Sequence, residues 1–413
     1  VSSVNPQFHG PGFLALLLAT GVPGNSAICS NLLEGFPFTG SLSAHGLWPW
    51  RPKAAPAALS VHELRVAAPA SLARFVGSCI SGRDKEPLWA ATQKEVASGT
   101  LEGPFAVRLP SPFPPLQGAP DGLPPAFVPR FAIPHNSKPP PAVRPIDNAR
   151  ESGLNRTAAP QDFVWLPWLD VVLRTLVWLQ ASKCYPALGK FDHVDAYKVW
   201  PSRASDQWAA LLLTATPEGH PVAFRNKALN FGALGSVWGY CWLSSALAIS
   251  LSWALGLIVM AYVDDFATVS PTSCPLSGVV ALHKALGIPI HTKPGKIQDP
   301  TQGVPCPLLG VVITAGRHRV TSANEPARVS KLVAVSQHLI AQKSVTAVAW
   351  RQAVGRLAFA AGQSWGRAAR AALRVLYRAL GKNASVHVTP MLRAWLSSLA
   401  TTLETSPPRV LTA

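Results

Sequence analysis

Two adjacent carboxylates lie between two apolar, β-branched stretches of the chain. Asp264 and Asp265 occupy the middle of LGLIVMAYVDDFATVSP. The flanking stretches predict two short strands, which places the pair at the tip of a hairpin. Neighbouring carboxylates repel each other there, and a bound cation would remove that repulsion. An Asp-Asp pair is usually only a turn, but the strands on both sides favour a metal site.

A third carboxylate occurs 72 residues earlier, in GKFDHVDAYKVWP. Asp192 stands at an expected strand end, and Asp195 begins a helical turn. Two strands lying side by side would bring Asp192 to the Asp264–Asp265 pair. Three converging carboxylates suit two Mg²⁺ ions, with Mn²⁺ as a substitute, and two such ions stabilise the attacking and leaving oxygens of nucleotidyl transfer.

The elements that must position these groups can be read coarsely along the chain. Residues 1–60 are apolar and broken by Gly and Pro, without periodicity, whereas Ser60–Ala97 has helical patterning. Fourteen prolines between Pro104 and Pro145 exclude helix there and favour strands and turns. Residues 162–182, with Asp170 and Arg174 four apart, predict a buried amphipathic helix.

A long stretch without charge raises a membrane alternative. Ala228–Val263 contains no charged residue, and a polytopic membrane protein would use 163–180 and 234–263 as spans. Glycines interrupt the first part of the stretch, and its end, GLIVMAYV, favours a buried strand. We therefore expect a protein that does not span a membrane.

The charge distribution indicates a polyanionic partner. The net charge is +17, and residues 311–413 carry fourteen Lys and Arg against Glu325 and Glu404. Arginines at spacings of 3, 4 and 4 place four guanidinium groups on one helix face: Arg367, Arg370, Arg374 and Arg378. The alternative is a merely solvated face, but such a face usually mixes signs. We expect this face to follow template–primer phosphates.

Cysteine usage indicates a reducing compartment. The six cysteines lie far apart, without a C-x-x-C pair, and the histidines lack metal-ligand spacing. We expect an intracellular, non-secreted protein. Because the chain starts at Val1 and stops abruptly, we also expect a fragment of a longer open reading frame.

Four motifs in a fixed order resemble those of reverse transcriptases of the retroelement type, over roughly residues 90–380. The matching segments are Asp192 with Asp195-Ala196-Tyr197 for motif A, Leu229-Asn230-Phe231-Gly232-Ala233-Leu234-Gly235-Ser236 for motif B, Tyr262-Val263-Asp264-Asp265 for motif C, and Lys293 and Lys296 with Leu308-Leu309-Gly310 for motif D and the following strand. Upstream, Lys138 and Arg144-Pro-Ile-Asp147 through Asn155 resemble the fingers hairpin that grips the incoming triphosphate.

The resemblance implies roles for individual residues. Asp192 and Asp264 would ligate both metals, with Asp265 more peripheral. Lys138 and Arg144 would hold the β- and γ-phosphates. Tyr197 would exclude a ribose 2′-hydroxyl, which favours dNTPs. The remaining nucleotide contacts would come from Phe231, Gly232, Tyr262 and Lys296, where Lys296 protonates pyrophosphate and Gly232 permits a close backbone approach.

The implied fold is α+β, a right-hand polymerase with an antiparallel palm sheet and a helical thumb. The expected segments are an extension of unknown role (1–90), fingers (91–190), palm (191–320) and a basic thumb or connection (321–413). Partners would be a primed RNA or DNA template and dNTPs, while RNase H or integrase/recombinase modules could belong to the parent polyprotein.

Some positions depart from the family pattern. Motif B has Leu-Asn where Leu-Pro is usual and Phe231 in place of the commoner Gln, and two residues are inserted between Arg150 and Asn155. None of these touches the three metal carboxylates. The alternatives to an RNA-directed DNA polymerase are an RNA-templated RNA polymerase, which Tyr197 argues against, the membrane protein, and a decayed relic that binds nucleic acid without activity.

Overall fold

The computed structural model describes residues 4–107, 123–135, 142–365, 370–381 and 384–412. Within these ranges the helices are α1 Gly10–Ala19, α2 Asn25–Glu34, α3 Val61–Ser81, α4 Lys85–Ala97, α5 Leu169–Ala181, α6 Leu234–Leu255, α7 Ser277–Leu286, α8 Pro326–Ala341, α9 Ala347–Trp365, α10 Arg370–Arg378 and α11 Pro390–Thr405.

The strands of the described residues are β1 Gly40–Leu42, β2 Leu101–Ala106, β3 Phe127–Pro134, β4 Val143–Asp147, β5 Ala158–Pro160, β6 Ala187–Asp192, β7 Leu211–Ala215, β8 Pro221–Asn226, β9 Ile258–Tyr262, β10 Asp265–Ser270, β11 Gln298–Thr301, β12 Pro305–Leu308, β13 Val311–Ala315, β14 Val320–Asn324, β15 Ser344–Thr346, β16 Ser385–His387 and β17 Arg409–Leu411. The fold is therefore mixed α+β.

The strands form three larger sheets and two short ribbons. Their orders are β2-β8-β7-β3-β4, β11-β6-β10-β9 and β12-β13-β14-β17, with ribbons β1-β5 and β15-β16. In the five-stranded sheet only β3 and β7 run parallel, and the other neighbours are antiparallel. The apolar face of this sheet packs under α3, where Leu72, Phe75 and Val76 meet Phe127 and Leu211.

The chain divides into two compact units, and neither is continuous in sequence. The first comprises Val1–Pro167, Asp192–Phe266 and Ser277–Thr292, and the second comprises Trp168–Phe191, Ala267–Leu276 and Lys293–Ala413. This grouping differs from the four consecutive segments expected from sequence. The chain leaves and re-enters each unit because β6 and β10 carry it across the boundary at Asp192 and Phe266.

The first ninety residues are part of the first unit rather than a separate appendage. Strand β1 pairs with β5 in parallel, and the Phe8 ring lies 5.3 Å from Trp200. Helices α1 and α2 lie where the sequence showed no periodicity. Their mostly apolar and small polar residues lack the contrast between two faces from which periodicity is recognised.

The helical patterning of residues 60–97 is confirmed as α3 and α4. Helix α3 begins with a capping box, in which the Ser60 hydroxyl accepts from the Glu63 amide at 3.1 Å and the Glu63 carboxylate accepts from the Ser60 amide at 2.7 Å. The helix predicted over 162–182 is shorter than expected, because α5 begins only at Leu169, after Pro167. The proline-rich region contains strands β2, β3 and β4, as expected.

In the second unit, helices α8, α9, α10 and α11 share one apolar core. Trp350 is fully buried, and its indole N–H donates to the Leu376 carbonyl at 2.9 Å, which fixes α10 against α9. Strands interrupt the region that the sequence indicated as helical: β14 and β17 pair with each other, and β15 pairs with β16. These strands are only three to five residues long, so period-2 patterning had little length in which to appear.

Candidate catalytic site

The Asp264–Asp265 pair lies at the tip of a β-hairpin, as the sequence predicted. Strand β9 ends at Tyr262, Val263 and Asp264 form the turn, and Asp265 is the first residue of β10. Val263 has a φ of +58°, a left-handed conformation that is rare for a β-branched residue. Both carboxylates and Tyr262 are half-buried. The turn therefore presents two acidic groups from a strained, well-defined backbone.

Asp192 is the last residue of β6 and is almost fully buried. Its carbonyl accepts from the His291 amide at 2.9 Å, which holds the strand end. Burial raises the pKa of the Tyr240 hydroxyl well above its usual value. The charge of Asp264 raises this pKa further, and that of Asp192 is a smaller contribution in the same direction. Tyr240 on α6 is thus near both carboxylates.

A chain of buried hydrogen bonds starts at the same hydroxyl. Tyr240 lies 2.9 Å from His193 Nδ1, His193 Nε2 lies 3.1 Å from His283 Nε2, and His283 Nδ1 lies 2.8 Å from the Val279 carbonyl. Burial lowers the pKa of both imidazoles, that of His283 to about 4. Both rings are therefore neutral at pH 7.

The carbonyl fixes the direction of this chain, because it can only accept. His283 donates from Nδ1, so its Nε2 accepts from His193 Nε2–H, and His193 Nδ1 accepts from the Tyr240 hydroxyl. The Tyr240 hydroxyl therefore donates its hydrogen bond to His193, the residue that follows Asp192. Nothing in the sequence pointed to these three residues, because His193 follows β6, Tyr240 is on α6 and His283 is on α7, without a shared motif.

Tyr197 and Phe231 come together beside Tyr240. The Tyr197 ring is buried, 4.8 Å from Tyr240 and 5.2 Å edge-on from the half-exposed ring of Phe231. Burial raises the pKa of Tyr197, and Asp264 contributes to that rise. Tyr197, Tyr240 and Phe231 therefore form an aromatic wall that the charge of Asp264 reaches.

Gly232 lies so close to the backbone of another segment that no side chain fits at this position. Gly232 has a φ of +104°, and a Cβ placed on it would lie 2.7 Å from the Asp147 carbonyl oxygen. Asn155 fixes the same loop, donating to the Gly232 carbonyl at 3.1 Å and accepting from the Leu234 amide at 2.7 Å. Asn155 thus caps the start of α6 from a distant segment.

The unusual asparagine of motif B is fully buried. The Asn230 amide N–H donates to the Ser236 hydroxyl at 3.0 Å, a bond that proline could not make. Neither atom of its side-chain amide has a hydrogen-bond partner among the described residues. Such burial costs about 1–3 kcal/mol, so this departure from the family pattern carries a stability penalty.

A buried arginine orders the strand that carries Arg144. Arg130 on β3 donates to both Asp147 oxygens at 2.7 and 3.2 Å and to Glu95 at 2.9 Å. Burial alone would lower the pKa of Arg130, but Asp147 and Glu95 raise it above the ordinary range. Lys198 joins the network 3.2 Å from Glu95. Arg144 itself is exposed on β4.

Two of the expected nucleotide contacts are lysines, Lys138 and Lys296. Lys138 lies outside the described residues. Lys296 belongs to the second unit, in an exposed turn where its amide donates to the Lys293 carbonyl at 3.1 Å. The structure therefore groups Asp192, Asp264, Tyr197, Phe231 and Tyr240, whereas the expected roles of Lys138 and Lys296 stay predictions.

The donor set has the chemistry that Mg²⁺ prefers. Across the described part of the chain, no three His, Cys, Asp or Glu side chains are grouped closely enough to form a complete metal site. Mg²⁺ in phosphoryl-transfer sites is commonly held by one or two carboxylates together with substrate phosphates. Asp192, Asp264 and Asp265 offer hard oxygen ligands of this type, so these residues fit such an ion.

The structure describes two of the four arginines of the predicted basic helix face. Arg374 and Arg378 are exposed on α10, while Leu376 on the opposite side is fully buried. Arg367 and the side chain of Arg370 lie outside the described residues. Other arginines here have structural partners: Arg393 donates to the Val388 and Gln342 carbonyls.

One helix in the described residues, α6, is long and apolar enough to cross a membrane, and 78% of its apolar window is buried inside the chain. A single buried helix of this kind is weak evidence for a membrane protein. The other stretch considered as a span, 163–180, contains only the 13-residue helix α5, which is shorter than the roughly 20 residues that a span needs.

No protein-family model and no curated protein matches this sequence. Solved structures do match: 475 chains are similar to this one in structure. A foamy viral protease-reverse transcriptase in complex with RNA/DNA hybrid is 14% identical, covers 78% of this chain and 37% of that chain, and has a TM-score of 0.49. The foamy viral protease-reverse transcriptase dRH in complex with ds DNA is 13% identical and has a TM-score of 0.51.

The second of these similarities shows the fold. It covers 87% of this chain and 63% of the viral chain, so this protein spans less than two thirds of either viral structure. The chain therefore has a reverse-transcriptase-like α+β fold. The RNA/DNA hybrid and the ds DNA are ligands of the viral proteins.

Proposed function

We propose that this protein is an RNA-directed DNA polymerase that extends a primer by two-metal nucleotidyl transfer. The observation that carries the proposal is that β6, which ends at Asp192, lies next to β10, which begins at Asp265, in a reverse-transcriptase-like fold. Hairpin turns with two acidic residues are common, but a buried third carboxylate at a neighbouring strand end is not needed for a turn.

The carboxylates Asp192, Asp264 and Asp265 would hold the metal ions. Bound Mg²⁺ or Mn²⁺ supplies positive charge to the attacking and leaving oxygens. The protein's own part is to keep the carboxylates oriented, through the His291 amide at Asp192 and the tight turn at Asp264. Fixed ligands of this kind need no reorganisation when the substrate arrives.

The nucleotide contacts follow from the same arrangement. Tyr197 and Phe231 form the aromatic wall that would meet the sugar and reject a 2′-hydroxyl, and Tyr262 precedes the carboxylates on β9. Arg144, together with Lys138, would bind the triphosphate as charge-assisted donors. In polymerase terms, β6, β9 and β10 would be the palm, β3 and β4 the fingers, and α8–α11 the thumb.

The test is primer extension on poly(rA)/oligo(dT) with Mg²⁺ and dTTP. Asp264→Asn and Asp192→Asn should each lower extension by at least about a thousandfold, because a catalytic metal site contributes several kcal/mol. Binding of the primer–template should stay within a few-fold, since it depends on remote phosphate contacts.

Asp84→Asn is the matched control. Asp84 lies outside the motifs, is exposed, and makes no side-chain capping hydrogen bond at the start of α4, so this variant should extend like the wild type. Retention of more than a few per cent of activity in either Asp192→Asn or Asp264→Asn would refute the metal assignment. A wild-type protein that binds the primer–template but never extends it would be the decayed relic.

A further inference from the structure

An aromatic surface with basic neighbours lies on the first unit, and the polymerase proposal uses none of its residues. We call Trp50, Arg51, Phe163 and Trp165 the aromatic platform. Trp50 is 62% exposed, Phe163 52% and Trp165 53%, and the Arg51 guanidinium lies 4.4 Å from the centre of the Phe163 ring. Phe163 and Trp165 are close in sequence, and backbone pairing brings Trp50 near them. Large exposed apolar groups that lie together in this way are typical of a binding surface.

The backbone of the aromatic platform is fixed by hydrogen bonds. Trp50 and Asp162 form an antiparallel bridge, in which the Arg51 amide donates to the Gln161 carbonyl at 2.9 Å and the Phe163 amide donates to the Pro49 carbonyl at 2.8 Å. On one side of the bridge, Asp162 comes shortly after β5, which pairs with β1. Trp50 and Phe163 therefore sit on or next to paired backbone, and Trp165 follows two residues later in irregular chain.

Buried groups hold the platform from below. Asp162 is fully buried and accepts from the Trp238 indole N–H on α6 at 2.8 Å, and His45 Nε2 lies 3.3 Å from its other oxygen. His45 in turn stacks on Trp242 with ring centres 4.2 Å apart. A surface anchored in this way is preorganised, which lowers the cost of ordering it when a ligand binds.

The exposed charged residues of the two segments that form the platform have a single sign. In residues 43–58 and 156–168 the acidic residue is Asp162, which is buried, whereas Lys53 and Arg156 are exposed and Arg51 is partly exposed. A ligand of this surface therefore meets positive charge and flat aromatic faces together. That combination complements a polyanion that carries exposed planar groups.

We propose that the aromatic platform binds single-stranded nucleic acid, with bases stacked on Trp50, Phe163 and Trp165 and phosphates near Arg51 and Lys53. A base within a duplex has both faces covered by its neighbours, so the platform discriminates against duplex. The binding requires neither metal nor nucleotide, and it stands whether or not the protein extends a primer.

The experiment is fluorescence anisotropy with a fluorescein-labelled oligo(dT) 20-mer, in buffer without Mg²⁺ or dNTPs. Trp50→Ala and Trp165→Ala should each weaken binding by about tenfold, as expected for the loss of one stacked base. Binding of a blunt duplex should change less than about twofold, because its bases cannot stack. Arg51→Gln should flatten the log–log salt slope by about 0.7, the value for one phosphate contact on a single strand.

Trp253→Ala is the matched control, because Trp253 is 64% exposed on α6, a helix without charged residues. This variant should bind the oligonucleotide like the wild type. Trp50→Phe keeps a stacking ring and should recover most of the affinity lost in Trp50→Ala, which separates stacking from damage to the fold.

Three outcomes would overturn the proposal: wild-type affinity in both Trp50→Ala and Trp165→Ala, an equal loss in Trp253→Ala, or an equal loss for blunt duplex. Phosphatidylserine-containing vesicles test the competing ligand. If the platform variants lose vesicle binding while oligonucleotide binding is unchanged, the surface faces a membrane and the proposal fails. Loss of extension in Asp264→Asn with intact oligonucleotide binding would leave it standing.

Discussion

Cations play different parts in the carboxylate region of the first unit and in helices α8–α11 of the second. In the first, Arg130 is buried between Asp147 and Glu95 and serves to hold two strands and a helix. In the second, no acidic residue occurs between Glu325 and Glu404, and the arginines whose side chains the structure describes either donate to backbone carbonyls or are exposed. The same side chain is thus architectural in one region and available to a ligand in the other.

This difference predicts which of the two regions should respond to the salt concentration. A buried ion pair is screened little by dissolved ions, whereas exposed charges lose most of their interaction beyond a distance of about 8–10 Å at physiological ionic strength. Changes in the carboxylate region should therefore alter stability or chemistry at every salt concentration. Changes on α10 should alter only binding, and only to the extent that salt permits.

The largest effect should come from Arg130→Met. Removing one partner from a buried charge network leaves Asp147 and Glu95 without compensation, so the free energy of unfolding should fall by about 3–5 kcal/mol. Urea denaturation at 50 and 500 mM NaCl measures it, and the loss should be similar at both. Arg144→Met, on the neighbouring strand but exposed, should change stability by less than about 0.5 kcal/mol. A wild-type denaturation midpoint for Arg130→Met would contradict the architectural role.

A smaller effect concerns pH and His45. Burial lowers the pKa of His45 from 6.5 to about 4, so the unfolded chain binds its proton more readily. The stability from the neutral ring is present above pH 6.5 and is lost as the pH falls from 6.5 towards 4. At pH 5 the loss should be about 2 kcal/mol.

His45→Gln provides the comparison for that pH effect. The variant starts less stable, but its decrease in stability between pH 7.5 and pH 5 should be smaller than that of the wild type by about 2 kcal/mol. The Asp162 carboxyl, whose pKa burial raises, is present in both proteins and acts equally. Parallel pH curves for the two proteins would show that His45 does not titrate as its burial requires.

Tyr197→Val tests the aromatic wall. If the ring excludes a 2′-hydroxyl, the variant should lower the preference for dTTP over UTP by at least about tenfold, or about 1.4 kcal/mol. Tyr197→Phe keeps the ring that packs on Tyr240 and Phe231 and should keep the preference. Measured selectivity that is unchanged in Tyr197→Val would place the steric gate elsewhere.

The smallest effect should come from the basic face. Replacing Arg374 and Arg378 with Gln should flatten the log–log salt slope for primer–template binding by roughly 1–2 units, equally for every template sequence. Extension at saturating template should fall much less. The double variant Arg83→Gln, Lys94→Gln removes the same charge from exposed positions of the first unit and should leave the slope unchanged. A slope equal to that of the wild type in the α10 variant would mean that this face meets solvent or a protein.

The sequence was informative where a local pattern decides the structure. Apolar, β-branched stretches on both sides of the Asp264–Asp265 pair predicted the β9–β10 hairpin, and helical spacing predicted α3, α4 and the amphipathic α10, because these depend on neighbours a few residues apart. The likeness to a solved reverse transcriptase structure, at 13% identity, extends to the fold.

The remainder depends on distant partners that no local pattern records. Arg130 meets Asp147 and Glu95 from 17 and 35 residues away, and His193 reaches His283 across 90 residues. Gly232 was expected to accommodate a nucleotide or template, yet the close neighbour is the Asp147 carbonyl. Such contacts arise only when the sheet and α6 have been assembled.

The charge-free helix α6 has a consequence for how the chain is made. From Ala228 to Val263 the emerging polypeptide offers no charge to keep it from sticking to other apolar surfaces, and α6 becomes buried only by packing on partners from both sides of it in sequence. Until then the segment is exposed on the nascent chain, where aggregation competes with folding. Synthesis at low temperature, or with chaperones that shield apolar segments, should therefore raise the yield of folded protein more than any change to its surface.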